Sequence, residues 1–153
     1  MPSGKKMNKK KETHYMNKIK NPFLGYQDGA YSLMRIVTGF LFSFHGAQKV
    51  LGLLSDPAMS PPVGSQMWVG GVIELVAGFL ILIGLLTPFF AFLASGEIAV
   101  AYFQFHWKFV FDNNFFPIIN HGELAVVYCF LFLFIATRGA GKWSVDNSMM
   151  GSR

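Results

Sequence analysis

Ionisable side chains recur at helical spacing inside otherwise apolar stretches of this 153-residue chain, and in such a setting each needs a chemical reason. Arg35, Thr38, Phe42, His45, Lys49 and Gly52 follow one another at intervals of three or four, which lays them on one face of a helix. Glu74 has Gly70 and Gly78 four residues to either side, small residues that let a neighbouring backbone come close. Ala94, Glu97, Ala101 and Gln104 repeat the pattern, and His106, His121 and Glu123 follow. A carboxylate at membrane depth can hold or pass a proton, and Glu74 and Glu97 are the proton-relay candidates. Imidazole and ammonium groups can hydrogen-bond a polar ligand. Arg35, His45, Lys49, Glu74, His106 and Glu123 are therefore the candidates for holding one. The helical rise of about 1.5 Å per residue puts Arg35 and Glu97 towards one end and Lys49 and Glu74 towards the other. Arg35–Glu97 and Lys49–Glu74 are accordingly the expected ion pairs. The alternative, left open by the sequence, is that these charges only lock helix register.

Four long apolar runs must position these groups, at about 31–54, 67–86, 89–111 and 120–137. Each has the roughly 17–25 residues that a helix needs to cross a bilayer core. The expected fold is all-α, a four-helix transmembrane bundle over 31–137. It lies between a polar, Lys-rich tail at 1–30 and a short tail at 138–153. The Ser-Asp-Pro-Ala-Met-Ser-Pro-Pro stretch from Ser55 separates the first two runs. The Gly84-Leu85-Leu86-Thr87-Pro88 turn makes the second and third an antiparallel hairpin. Hydrophobic residues form 52% of the chain and charged ones 14%, too little charge to cover a soluble surface.

Residues 1–20 carry seven lysines and one acid, so the net charge of +5 belongs to a tail and not to a basic domain. That tail is read as a topology signal rather than a nucleic-acid site, and no nucleic-acid partner is expected. Arg138, Lys142 and Arg153 follow the last run, which puts both termini on the cytoplasmic side. The single cysteine, Cys129, excludes an intrachain disulfide, a CxxC pair and a four-cysteine metal site, and no metal site is expected. No cofactor motif is present. The aromatic segment 102–116 reads as an interfacial belt, with a stacking slot for a flat ring such as a quinone as the sharper alternative.

The chain resembles the DoxX family of small four-helix membrane proteins. The likeness rests on Arg35 with Gly39, His45-Gly46 and Lys49, then Glu74, Gly78 and Gly84. It continues through Ser95-Gly96-Glu97 to Tyr102-Phe103, His106, Phe116-Pro117, Asn120, Gly122-Glu123-Leu124 and Tyr128. It closes on the stretch from Arg138-Gly139-Ala140-Gly141 to Asp146. The family takes its name from association with a membrane thiosulfate:quinone oxidoreductase, and members are labelled oxidoreductases of quinone, catechol or thiol stress. Two positions depart from the family pattern: Gly-Ala-Gly at 139–141 where Gly-Pro-Gly is frequent, and Thr87-Pro88 where a Thr-Arg pair is common. No assigned catalytic set transfers.

The expected function is a membrane subunit of a quinone-linked oxidoreductase system in the inner membrane of a prokaryote. It would sit in the lipid bilayer, with a soluble redox subunit and a second copy of the chain as candidate partners. In this reading His45 and Lys49 hold the ring oxygens, Glu74 and Glu97 pass protons, and Arg35 keeps Glu97 ionised. The rival readings are a scaffold that docks a soluble enzyme and a small solute or proton transporter.

Overall fold

The computed structural model describes residues 21–54 and 61–151; the Lys-rich segment 1–20 and most of the first loop's Ser/Pro stretch lie outside the described residues. All regular structure among the described residues is helical. Four long helices, α1 (Gln27–Leu51), α2 (Gln66–Ile83), α3 (Thr87–Ala101) and α4 (Glu123–Arg138), are followed by a short α5 (Val145–Gly151). A π-helical turn, Tyr102–Trp107, extends α3. One end of the molecule, here the turn end, carries the α2–α3 turn and α5, and the opposite end, the loop end, carries the α1–α2 connection.

The helix ends have local causes. Gly52 and Gly84 stop α1 and α2 in the left-handed conformation that only glycine adopts without strain. The Ser65 side chain accepts from the Trp68 N–H and caps the start of α2. Pro88 sits in the first turn of α3, where a missing N–H is harmless.

Helices α1 and α2 pack backbone to backbone in antiparallel register, Gly39 against Gly78 and Gly46 against Gly71. A Cβ on Gly39 would come within 2.5 Å of the Leu82 nitrogen, and one on Gly78 within 2.5 Å of the Ser43 nitrogen. A Cβ on Gly46 would strike the Leu75 nitrogen. Helix α4 packs on α3, with Ala91, Ala94 and Ile98 meeting Tyr128, Phe132 and Ile135 in the core. The Ser95 hydroxyl donates to the Cys129 carbonyl (2.8 Å) across that interface. Large apolar side chains cover the outside, including Phe79, Phe89, Phe92, Leu124 and Phe130.

Several expected boundaries move. By length and composition, two segments qualify to cross a membrane, Gln66–Ile83 and Thr87–Trp107. Helix α1 falls short because Arg35, His45, Gln48 and Lys49 dilute its hydropathy. Helix α4 has 16 residues, since His121 takes a positive φ of 58° and the Asn120 side chain accepts the Gly122 N–H ahead of it. The third run ends at Trp107 and not at Phe111. Lys108 and Phe109 both turn left-handed there, and the Asn114 amide takes up the freed carbonyls of His106 and Trp107. The stretch after Arg138, expected to be only a tail, folds back and ends in α5.

Because the glycine contacts are backbone contacts, Gly46→Ala should destabilise the purified protein by about 1–3 kcal/mol, the usual penalty of overpacking. Gly96→Ala, where a Cβ meets nothing within 4 Å, should leave the thermal midpoint in detergent unchanged or raised. Equal effects at the two positions would contradict the tight α1–α2 contact.

Candidate functional site

Two polar constellations occupy opposite ends of the helices. At the turn end Arg35 is fully buried, and its guanidinium reaches backbone carbonyls, not an acid. Nη1 donates to the carbonyls of Ile81 and of Leu82 (2.7 Å for the second), and Nη2 donates to the Trp143 carbonyl. Ile81 and Leu82 belong to the last turn of α2, where carbonyls lack helical partners and the helix dipole is negative. The complementary end is held the same way. Asp146 accepts the N–H groups of Leu86 (2.8 Å) and Thr87 (3.0 Å) at the start of α3, where the dipole is positive.

The surrounding contacts tie α1 to the C-terminal segment. The Tyr31 hydroxyl donates to the Gly139 carbonyl, and the Arg138 guanidinium lies 4.3 Å from the Tyr31 ring centroid. Asp28 pairs with Arg138 (3.0 Å) and Lys142 (3.1 Å). The hydrogen bond and charge of Lys142, with Arg138 adding to them, hold the Asp28 carboxyl below its ordinary range.

The expected Arg35–Glu97 pair is thus absent. Arg35 has its Nη groups spent on α2 and the C-terminal segment, and Glu97 belongs to the other constellation. Arg35 is a clamp, and the structure does not place it at a ligand site.

At the loop end Lys49 Nζ meets Glu74 Oε1 at 2.7 Å, the second of the two expected pairs. Glu74 is 3% exposed and its Oε2 has no partner among the described residues. Glu97 Oε2 is likewise buried and without one. Lys49 and Glu97 both face a cavity of about 570 Å³ between α2 and α3. Its walls are Met67, Val69, Ile73, Phe92, Leu93, Val100 and their neighbours, with the Gln66 and Gln104 amides bonded to each other at 2.5 Å. Gly70 forms the wall opposite Glu97, since a Cβ there would lie 3.1 Å from Oε1.

The other sequence candidates are elsewhere. His45 meets the edge of the Tyr128 ring (centroids 6.3 Å apart) and does not line the cavity. His106 stacks on Tyr102, and its Nδ1 lies 3.1 Å from the Asn120 carbonyl, within a loop-end knot that also includes Asn114. The π turn and the distance along α3 carry it off the face that bears Glu97. Glu123 is exposed in the first turn of α4, a favourable place for an acid at a helix N-terminus. These three are therefore not gathered with Lys49, Glu74 and Glu97. Asp28, Tyr31 and Asp146 were not singled out as site residues, although an acid among the bases that follow the last run was a visible signal for Asp146.

Arg35→Lys keeps the charge but loses the fork that reaches carbonyls on two segments. It should lower stability on the order of 3 kcal/mol and expose 139–144 to protease, measured by thermal melts and limited proteolysis. Because the folded Asp28 carboxyl is depressed, its contribution is complete above the ordinary value of about 3.9 and disappears as pH falls through the lower, folded one. Proteolysis of that segment by an acid-active protease should therefore accelerate only in that acidic window. In Asp28→Asn the acceleration should already be present above that window, read at neutral pH with a protease active there.

The family model described as DoxX matches residues 30–107, from α1 through the π turn, and so includes Arg35, Lys49, Glu74 and Glu97. A Haemophilus influenzae protein described only as uncharacterized is 41% identical over 124 residues, which cover 80% of this chain and 92% of that protein. No solved structure matches. With the family model across half the chain and a relative of this similarity along most of it, the chain belongs to the DoxX family.

Proposed function

We propose that the chain is a four-helix membrane subunit of a quinone-linked oxidoreductase system, with its ring site in the cavity between α2 and α3. The turn end, with Arg138, Lys142 and the start of α1, which follows the Lys-rich residues 1–20 in sequence, lies in the cytoplasm of a prokaryote, so both termini are inside. The apolar side chains covering all four long helices support a lipid surround, because soluble monomers rarely expose such continuous apolar surface.

The observation that carries the ring site is the pair of unpartnered buried carboxylate oxygens, on Glu74 and Glu97, beside Lys49 and an apolar cavity. These residues fit a quinone or phenol. Lys49 Nζ has three N–H groups, one of them directed to Glu74, and so keeps donors for a ring oxygen. Glu97 holds and releases a proton at Oε2. Glu74 fixes Lys49 and stands behind it as the second proton carrier. Gln66 and Gln104 supply amides at the loop end, and Phe92 and Phe105 supply aromatic walls. A bound quinone supplies two-electron chemistry coupled to protons. The chain has one cysteine and no CxxC pair, so we assign electron delivery to a soluble partner subunit.

The test is extraction of the protein, purified in mild detergent, with quinone quantified by mass spectrometry. Wild type should carry near-stoichiometric quinone, and Glu97→Gln less than a tenth of it at an unchanged melting temperature. Glu97 is the informative position, because Glu74→Gln would also strip the half-buried Lys49 of its partner. A wild-type protein that carries no quinone and takes up none when it is added would refute the ring site.

A further inference from the structure

At the turn end a second cavity, of about 870 Å³, opens beside the start of α3, the end of α4 and the fold-back that finishes in α5. Its polar lining holds two bases, Arg138 and Lys142, and two acids, Asp28 and Asp146. Its apolar lining consists of Leu85, Leu86 and Pro88 from the α2–α3 turn with Met149 and Met150 of α5. Leu86, Met149 and Met150 are exposed. Between the two linings runs Gly139-Ala140-Gly141, whose largest side chain is a methyl group.

The polar groups are unequally committed. Asp146 gives its two oxygens to the N–H groups of Leu86 and Thr87. Asp28 gives one oxygen to Arg138 and the other to Lys142. Every carboxylate oxygen in the cavity is therefore already engaged. The bases are not exhausted. A guanidinium carries five N–H groups and an ammonium three, and Arg138 and Lys142 each direct one to Asp28. Asp28 thus holds two cations side by side with donors to spare, and the Tyr31 ring steadies the Arg138 guanidinium. Unspent donors beside an exposed apolar wall suit an anion that carries hydrocarbon. Depth agrees with this. Thr87–Trp107 is long and apolar enough to cross a membrane, so its first residues fall where hydrocarbon gives way to headgroups.

Resting on the membrane placement proposed above, and not on the ring site, we infer that this cavity binds one anionic phospholipid of the leaflet at the turn end. The phosphodiester sits between Arg138 and Lys142, which donate to its oxygens, and an acyl chain lies along Leu86, Pro88 and Met150. A zwitterionic lipid is the poorer ligand, because its ammonium group finds no carboxylate oxygen that is not already engaged. A free phosphate meets the same donors but leaves the apolar wall uncovered.

The experiment is native mass spectrometry of the full chain in detergent, counting bound lipid as dioleoyl phosphatidylglycerol or dioleoyl phosphatidylethanolamine is added. Phosphatidylglycerol should bind roughly tenfold more tightly, and Lys142→Gln should weaken it roughly fivefold, the usual worth of one base against an anionic headgroup. Met150→Asp, at an exposed position, should weaken both lipids. The lysines of residues 1–20 can attract anionic lipid by themselves, so a chain with Lys9, Lys10 and Lys11 changed to Gln is measured in parallel and should keep the preference. Equal affinities for the two lipids in the wild type would overturn the site. So would a preference that survives Lys142→Gln and disappears with the tail lysines. Displacement of the lipid by an equal concentration of glycerol 1-phosphate would make a soluble phosphate the ligand and overturn the lipid. A wild type that binds neither lipid overturns the site alone; one that also stays monomeric in buffer without detergent overturns the membrane placement with it.

Discussion

The structure turns on the satisfaction of two helix ends at one tight turn. Between Ile83 and Thr87 the chain leaves α2 and enters α3, so unpaired carbonyls and unpaired N–H groups lie within a few residues of each other. Where water is scarce such groups must find partners, or each costs on the order of 1–3 kcal/mol. Arg35 supplies donors to the carbonyls and Asp146 supplies acceptors to the N–H groups, each charge matched to the dipole end that it meets. These residues come from opposite ends of the sequence. The turn therefore cannot be satisfied until α1 and the C-terminal segment have both docked. Gly84 belongs to the same constraint, since a Cβ there would strike Ser144 and come within 3.1 Å of Arg35 Nη1.

From that fixed end the helices diverge unequally. The glycines of α1 and α2 hold those two backbones together along their length, and the Ser95–Cys129 and aromatic contacts hold α4 on α3. The molecule thus consists of two tight pairs joined by a clamped turn, and the free space falls between them. Lys49 reaches across from α1 beside Gly71, the glycine contact nearest the loop end, and delivers its charge to Glu74 at the edge of that space. The clamp, the glycine register and the cavity form one mechanical sequence.

Much of this was legible in the residues. Apolar run length gave all four long helices, and turn chemistry gave the α2–α3 hairpin. Depth arithmetic gave the Lys49–Glu74 pair, because both residues lie a similar distance from the same end. The same arithmetic failed for Arg35 and Glu97. It treats a buried arginine as seeking a carboxylate and ignores backbone carbonyls, which helix C-termini offer in quantity. It also could not tell that α1 touches α2 closely and leaves α3 to α4, so two polar stripes at similar depth were paired although they face different neighbours. His106 illustrates a further limit. A π turn changes the angular position of every residue in it, and nothing in Tyr-Phe-Gln-Phe-His-Trp announces one. The fold-back of 139–151 was hidden in part for another reason: beside the Asp146 and Lys142 side chains, two of its anchors are carbonyls of Gly139 and Trp143, which any residue type would have supplied.

The charge count at the loop end decides which carboxylate is chemically free. Lys49, Glu74 and Glu97 together bring one positive charge to two acids. Glu74 holds the short contact with Lys49 and is nearly inaccessible, so its negative charge is already answered. Glu97 lines the cavity with its Oε1 towards Gly70, and its Oε2 has no partner among the described residues. Protonated, Glu97 becomes a hydrogen-bond donor into the cavity; ionised, it becomes an acceptor there. On the reading proposed above, an apolar wall with one group able to play both parts suits a ring that alternates between carbonyl and hydroxyl. The Lys49–Glu74 contact leaves Glu97 as the carboxylate of this cluster without an ion pair among the described residues.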